Sequence, residues 1–536
     1  MHHLQHIADL APVLERMGAR QVIIAPGSRN APLIQLFTSN NSFSCFSIVD
    51  ERSAGYVALG MARQTGEPVV VVTTSGTAVL NLSPAVAEAF HQGIALVVLT
   101  ADRPRETVVQ FDNQVIDQYA PFYNHSKGFF EFPAQQRTRE ELQSKFLAVE
   151  KLLAEALKGP KGPVHINLPL LEPLYVPLPE AILPPNKMQI SSVSPEAYPQ
   201  PKAIFKDRKV LILAGMASAS GELSGILEDL MANGQVVVVA ENISQLKSNN
   251  FVSLPELLLA GADDEEFNML LPDLVVSFGK QVVSKRLKLF VNSLEKAEKV
   301  LIPDDVSLPH FLRALGGDLV KKEENRFAKN WLTIEERERL NALPYLESAP
   351  FSNLAAVYKV LERVPGGAMV HLGNSSTIRY SQLCPLRSDL QYYSNRGTSG
   401  IDGSLSAAVG AAMLSEELHL LILGDLSFVY DSNALWNRDF PENLKLIVLN
   451  DGGGGIFRLL EGPDQMDFFE EFSVTHHPVS LELLSQSFGR NFHRVDGLDE
   501  LDEQLNSLFS EGNALSVLEV DTSSAENSRI FKELFR

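Results

Sequence analysis

Cysteine is nearly absent: Cys45 and Cys384 are the two in 536 residues and lie in unrelated segments. That excludes a disulfide framework and a thiolate metal site, and it fits a reducing compartment. Long apolar runs are missing as well. No uninterrupted stretch reaches the roughly 18 residues of a membrane span. The opening residues Met1 to Arg20 read as an amphipathic helix carrying Asp9 and Glu15, unlike a secretory signal. A cytoplasmic protein without membrane insertion is expected. Cations are in deficit, 46 Lys and Arg against 66 Asp and Glu, for a formal net charge of -20. Nucleic-acid binding is therefore not expected, because it needs clustered positive charge to replace phosphate counterions. The chain has no short repeat or low-complexity tract. Its middle has only LILAGMA where a dinucleotide fold would show G-x-G-x-x-G, which leaves flavin or nicotinamide binding unsupported.

What the chain does have is length for two to four hydrophobic cores and a regular alternation of apolar runs with helical patterns. In the first part the pattern predicts strands Gln21 to Ala25, Phe43 to Val49, Val69 to Thr73 and Ala95 to Thr100. Helices are predicted over Ala31 to Phe37, Glu51 to Gln64 and Asn81 to Gln92. Continuous β-branched runs between helices indicate a mostly parallel sheet covered on both faces. A proline-dense stretch, Leu171 to Lys202, reads as a linker. Further strands are predicted at Val210 to Leu213, Val236 to Val239 and Leu274 to Phe278. After a charged helical segment, Lys321 to Leu343, come Met369 to Leu372, His419 to Leu423 and Leu446 to Asn450. The fold class is α/β: three doubly wound, mostly parallel-sheet domains over residues 1–175, 200–318 and 345–536. The first and third share a strand and helix rhythm.

Such sheets bind ligands at the carboxyl ends of their strands. In the third unit Gly424 and Asp425 end one predicted strand and Asn450 ends the next, so both ligand-type side chains face one sheet edge. Behind them, Gly452 to Gly455 should leave backbone amides and carbonyls open to a diphosphate and its cation. Mg²⁺ or Mn²⁺ would find oxygen donors in the Asp425 carboxylate, the Asn450 amide and a carbonyl near Gly452, with diphosphate oxygens and water completing the shell. The competing reading is that Asp and Asn after strands are ordinary turn residues.

The pattern resembles the diphosphate and metal motif of thiamine diphosphate (ThDP) enzymes, with departures at Leu426 and Asp451. That resemblance implies a carboxyl group elsewhere, set against the cofactor's aminopyrimidine ring. Glu51 is the candidate, at the start of a predicted helix in DERSAGYVALGMARQTG, where an apolar shell could raise its pKa. Taken alone, Glu51 could equally be a helix-starting acid. APGSRNAP, TTSGTA and LTADRP follow strands of the same sheet. They offer Thr77 to the pyrimidine pocket, and Ser28, Arg29 and Arg103 as carboxylate-binding groups, with amides nearby in Asp112 to Gln114.

PGSRNAPL, DERSAGYVALGMA, TTSGTAV, LTADRP and NRGTSGIDG together resemble one branch, the 2-succinyl-5-enolpyruvyl-6-hydroxy-3-cyclohexene-1-carboxylate synthases of menaquinone and phylloquinone biosynthesis. The likeness covers nearly the whole chain and is thinnest in the middle, where it rests on Ser284, Lys285 and Arg286. It implies a transferase that decarboxylates 2-oxoglutarate and adds the product by 1,4-addition to isochorismate. It also implies a pyrimidine-binding first domain, a central domain and a diphosphate-binding third domain. By matching motifs, Ser28, Arg29, Arg103, Asn113, Gln114, Lys285, Arg286, Ser375, Arg379 and Arg396 become substrate-site candidates. Ile456, Phe457 and Leu460 become an apolar wall by the thiazolium. A homodimer or homotetramer is implied, with the cofactor between subunits. For Lys285 and Arg286 a solvated helix end stays open, and His476 and His477, in a polar loop, are given no role. Another ThDP decarboxylase or carboligase, or a silent binding module of the same fold, are the alternatives.

Overall fold

A computed structural model describes all residues except 1, 108–112, 136–137, 183–206, 218–220, 233, 304–307, 317–325, 460–461, 511 and 536. It contains three sheets in which every strand pair is parallel. The first holds β1 (Gln21–Ile24), β2 (Ser44–Ser47), β3 (Val69–Thr73), β4 (Leu96–Asp102), β5 (Phe129–Glu131) and β6 (Val164–Pro169), ordered β2-β1-β3-β4-β6-β5. The second holds β7 (Val210–Ala214), β8 (Val236–Ala240), β9 (Leu274–Phe278) and β10 (Glu298–Leu301), ordered β10-β9-β7-β8. The third holds β11 (Met369–Leu372), β12 (Gln391–Tyr393), β13 (His419–Gly424), β14 (Leu444–Asn450), β15 (Phe492–Val495) and β16 (Val517–Asp521), ordered β12-β11-β13-β14-β16-β15. The first and third sheets thus share one topology, which their similar rhythm anticipates. In each, strand order reverses between the first strand and the third, and ligands of doubly wound sheets bind at such a reversal.

Two compact units emerge. One comprises 1–192, 395–416 and 430–443, the other 193–394, 417–429 and 444–536. In the first unit, β3 and β4 are buried along their whole length, as their unbroken Val and Leu runs demand. Helix Glu51–Thr65 crosses helix Ser404–Ala412 with backbones in contact, because a Cβ at Gly60 would overlap the Ala407 carbonyl and one at Gly410 the Val57 carbonyl. Tyr56 donates to Asp402 at 3.0 Å, Ser53 meets Ser406 at 2.9 Å and Arg52 pairs with Asp431 at 3.3 Å, so the helix that opens with Glu51 is anchored just behind it. In the second unit one apolar cluster joins Ile243, Leu254, Leu257 and Val283 to the core around β11, β13 and β14.

Several expectations are corrected. The N-terminal helix is two, Gln5–Ala8 and Leu10–Met17, broken at buried Asp9, whose carboxylate accepts from the Ile182 amide at 2.7 Å. That bond also changes the reading of the proline-dense segment. Its described part, 171–182, has no helix or strand, yet Gln5 and Arg139 hold it as well and Leu174 is buried, so it is packed against the first unit. Asn81 to Gln92 becomes Thr77–Asn81 and Ser83–Gln92, because Pro84 has no amide for the Leu80 carbonyl. The charged segment is helix Phe327–Ser348. Among the described residues no helix is long and apolar enough to cross a membrane.

Candidate active site

The parallel strands of the first sheet bring the loops after β1, β2, β3 and β4 to one edge. Helix Glu51–Thr65 is capped by Asp50, whose carboxylate accepts from the Arg52 amide at 2.8 Å and the Ser53 amide at 3.4 Å. Glu51 is thereby released from capping. Its carboxylate accepts from the Asn81 side chain at 3.1 Å, and exposed Val49 and Leu80 lie near the pair in sequence. The expected apolar shell is therefore partial, since Glu51 is half-buried. Thr77 lies exposed at the start of the helix that ends in Asn81. The preceding Gly76 has φ +84°, and a Cβ there would press on the Gln114 backbone at 3.1 Å. The Gly76 amide donates to buried Gln118 at 2.9 Å, and Gln118 donates in turn to buried Asn167 at 2.9 Å. Asn167 also donates to Asp102, at 2.9 Å, and burial pushes the Asp102 carboxyl above its ordinary range.

The expected carboxylate-binding groups of this unit divide. Ser28 is exposed. Arg29 is mostly buried, pairing with Glu172 at 3.1 Å and donating to the Leu170 carbonyl at 3.2 Å. Arg103 donates to the Asn113 carbonyl at 2.7 Å, which joins the LTADRP loop to exposed Asn113 and Gln114. Arg396 is buried, next to Gly397 and Thr398, whose amides donate to Glu88 at 2.7 and 2.6 Å.

In the second unit β13 and β14 run in parallel register with Gly424 opposite Leu449, so Asp425 and Asn450 leave the sheet at the same edge. Asp425 is 2 % exposed, and burial raises its carboxyl pKa. It accepts from the Leu426 amide at 2.7 Å and the Gly453 amide at 2.8 Å. Asn450 accepts from the Gly452 amide at 3.0 Å and donates to Glu519 at 2.6 Å. A Cβ on Gly424 would meet nothing within 4 Å, which leaves open space beside the carboxylate.

The glycine run differs from expectation. Its amides are not open: Gly452 and Gly453 serve Asn450 and Asp425, Gly454 donates to the Val474 carbonyl at 2.5 Å and Gly455 to the Gly453 carbonyl at 3.1 Å. Gly453, at φ +148°, and Gly454 lie so close under the backbone of 473–475 that a Cβ on either would collide with it. The glycines thus orient the two candidate ligands. His476 and His477, given no role from sequence, reach the same loop: His477 Nε2 lies 3.2 Å from Asp425 Oδ2, and His476 Nδ1 lies 2.9 Å from the Gly452 carbonyl. A contact spanning 52 residues leaves no spacing signal in the sequence. Asp451, the noted departure, is held by Asn353 and Asn527, both at 3.4 Å, and burial pushes it up to about 7.

One carboxylate, one amide oxygen and one carbonyl suit a hard divalent cation, and they are too few to enclose it without oxygens from a diphosphate. Among the described residues no group of three His, Cys, Asp or Glu could hold a metal. Three protein oxygens of this kind fit an ion that takes its remaining donors from a bound group. Ile456 is half-buried and Phe457 exposed in the turn beyond, while Leu460 lies outside the described residues. Ser375, three residues past β11, adopts φ +74°, a strained conformation for serine, and its carbonyl accepts from Arg379 at 2.7 Å. Lys285 and Arg286 open helix Lys285–Ser293, capped by Ser284. Arg286 is not simply solvated: it pairs with Glu256 at 3.3 Å and packs over Phe535, while Lys285 is exposed.

The chain matches the N-terminal thiamine pyrophosphate-binding domain of thiamine pyrophosphate enzymes over residues 6–120, and their C-terminal thiamine pyrophosphate-binding domain over 373–520. A 2-succinyl-5-enolpyruvyl-6-hydroxy-3-cyclohexene-1-carboxylate synthase of Desulfotalea psychrophila is 38% identical over 93% of this chain and 96% of the relative. Synthases of the same name from Flavobacterium johnsoniae, 37% identical over 98% of each chain, and Porphyromonas gingivalis, 34% identical over 99% of this chain and 96% of the relative, are similar too.

Proposed function

We infer the reaction from a premise: the chain belongs to the 2-succinyl-5-enolpyruvyl-6-hydroxy-3-cyclohexene-1-carboxylate synthase family of thiamine pyrophosphate enzymes. It acts in menaquinone or phylloquinone biosynthesis, decarboxylating 2-oxoglutarate and joining the remaining four-carbon unit to isochorismate. The observation that carries this reading is that Glu51, freed from capping by Asp50, and the Asp425–Asn450 pair stand at carboxyl edges of two sheets of identical topology. Thiamine diphosphate, when bound, supplies the electron sink that decarboxylation and carbon–carbon bond formation both need.

The chain's own residues then have separate tasks. Glu51 would exchange a proton with the aminopyrimidine ring of the bound cofactor, its carboxylate steadied by Asn81. Asp425, Asn450 and the Gly452 carbonyl would hold Mg²⁺ or Mn²⁺, the ion that neutralises the cofactor's diphosphate when both are bound. Ile456 and Phe457 offer an apolar wall beside the reacting centre. Arg103, with Asn113 and Gln114, Arg379 with Ser375, Arg396, Ser28 and Lys285 bind the carboxylates of two polyanionic substrates. Local guanidinium forks overcome a diffuse surface charge of -20, which salt screens within about 8 Å. Arg29 and Arg286 already have carboxylate partners and take the structural share of that work. Exposed Val49 and Leu80, near Glu51 and Asn81 in sequence, support a homodimer or homotetramer that covers them.

The test offers 2-oxoglutarate labelled at the departing carboxylate, with pyruvate as competitor, to protein holding ThDP and Mg²⁺. Release of labelled carbon dioxide that pyruvate does not suppress and isochorismate accelerates is expected. Preference for pyruvate, or indifference to isochorismate, would assign the chain to another ThDP carboligase.

A further inference from the structure

Acceptor positions can be counted at the three candidate ligand oxygens. A carboxylate offers about four, and an amide or carbonyl oxygen about two. Asp425 Oδ1 accepts from the Leu426 amide, while Oδ2 accepts from the Gly453 amide and faces His477 Nε2. Asn450 Oδ1 accepts from the Gly452 amide, and the Gly452 carbonyl faces His476 Nδ1. Among the described residues, this leaves one position open on each of Asp425 Oδ1, Asn450 Oδ1 and the Gly452 oxygen. A cation drawing one bond from each ligand needs that arrangement.

The two histidines complete it from outside the loop. The His477 side chain is 13% exposed, and its Nδ1 accepts the Val479 amide at 3.3 Å, which leaves the ring proton on Nε2, facing Asp425. His476 stands between the Gly452 carbonyl and Glu470, 3.0 Å from its Nε2, and Arg458 grips the same Glu470 through two bonds of 2.7 and 2.8 Å.

We propose that His477 and His476 are positioning residues of the metal centre: neither ligates the ion; His476 fixes the direction of the Gly452 oxygen, and His477 holds Asp425 Oδ2 so that Oδ1 of the same carboxylate is turned to the ion. The proposal rests on reading Asp425, Asn450 and Gly452 as the cation site. Residues that orient ligands in this way commonly govern metal affinity by 10- to 100-fold.

The experiment titrates Mn²⁺ into EDTA-treated protein with excess ThDP, following the free ion by electron paramagnetic resonance, with no substrate present. His477→Ala is expected to weaken Mn²⁺ binding about 10- to 100-fold, and His477→Gln, whose amide can still donate to Asp425, to return within a few-fold of the parent. His476→Ala changes an exposed side chain, so it keeps the fold and weakens binding less. Parental Mn²⁺ affinity in His476→Ala and His477→Ala overturns the proposal. If His477→Ala does not fold, parental affinity in His476→Ala alone overturns it. So does a loss in His477→Ala that Gln does not restore and that tracks a lowered melting temperature of the metal-free protein. A parent chain that binds no Mn²⁺ sinks the cation-site reading itself, whereas failure to turn over substrate touches neither result.

Discussion

At the scale of single residues, Glu51 is available to the site because it has no helix to cap. Asp50 takes the capping bonds, and Asn81 is the hydrogen-bond partner that faces the Glu51 carboxylate. Glu51→Gln should bind ThDP within a few-fold of the parent while exchange of the thiazolium proton, followed by NMR in deuterium oxide, slows about 10²- to 10⁴-fold. Near-parental exchange would remove Glu51 from its role. A second residue sets a pH dependence away from the site. Glu335 is buried, accepts from the Ser253 and Leu254 amides, both at 2.6 Å, and is pushed by burial up to about 7. Between its ordinary value near 4.5 and about 7 the folded chain keeps a proton that the unfolded chain has released. Stability is therefore lost as pH rises through that window, by at most about tenfold in the folded-to-unfolded ratio per pH unit. Glu335→Gln keeps the acceptor oxygen and lacks the proton, so urea unfolding between pH 5 and 7.5 should show a flatter decline. Equal slopes in parent and variant would contradict this. The placement of Asp425 and Asn450 at one sheet edge is legible in the sequence, because Asp425 follows its strand directly and Asn450 ends the next. That of His476 and His477 is not, because an irregular segment carries them back to a loop distant in sequence.

At the scale of elements, the strands that the pattern missed have two physical causes. β5, β10, β12 and β15 lie at sheet edges, where partial exposure breaks up the apolar run. β6 and β16 lie inside, but their runs contain His165, Asn167 and Glu519, polar groups whose bonds reach the Gly76 loop through Gln118 and reach Asn450. The interior strands hardest to read thus carry hydrogen bonds that support the candidate site. The helix crossing behind Glu51 gives a paired prediction. Gly410→Val forces a side chain into the Val57 carbonyl and should cost about 2 kcal/mol or more. Gly225→Ala, in a helix where a Cβ meets nothing within 4 Å, should stabilise by up to about 1 kcal/mol. Urea midpoints that move together would contradict the close crossing.

At the scale of the whole molecule, three sheets of one class were readable from composition and rhythm, and the shared topology of the first and third was foreshadowed by their spacing. How the segments group into two compact units was not, because it depends on glycine-mediated backbone contact between helices more than 300 residues apart. The proposed assembly predicts that activity per chain falls on dilution in step with dissociation measured by sedimentation, and a monomer at full specific activity would contradict it. The most direct test of the central claim is the mass of the product formed from 2-oxoglutarate and isochorismate with ThDP and Mg²⁺. The account predicts one product that carries the whole of isochorismate and the four carbons left after decarboxylation. Succinate semialdehyde accumulating beside unchanged isochorismate would contradict it.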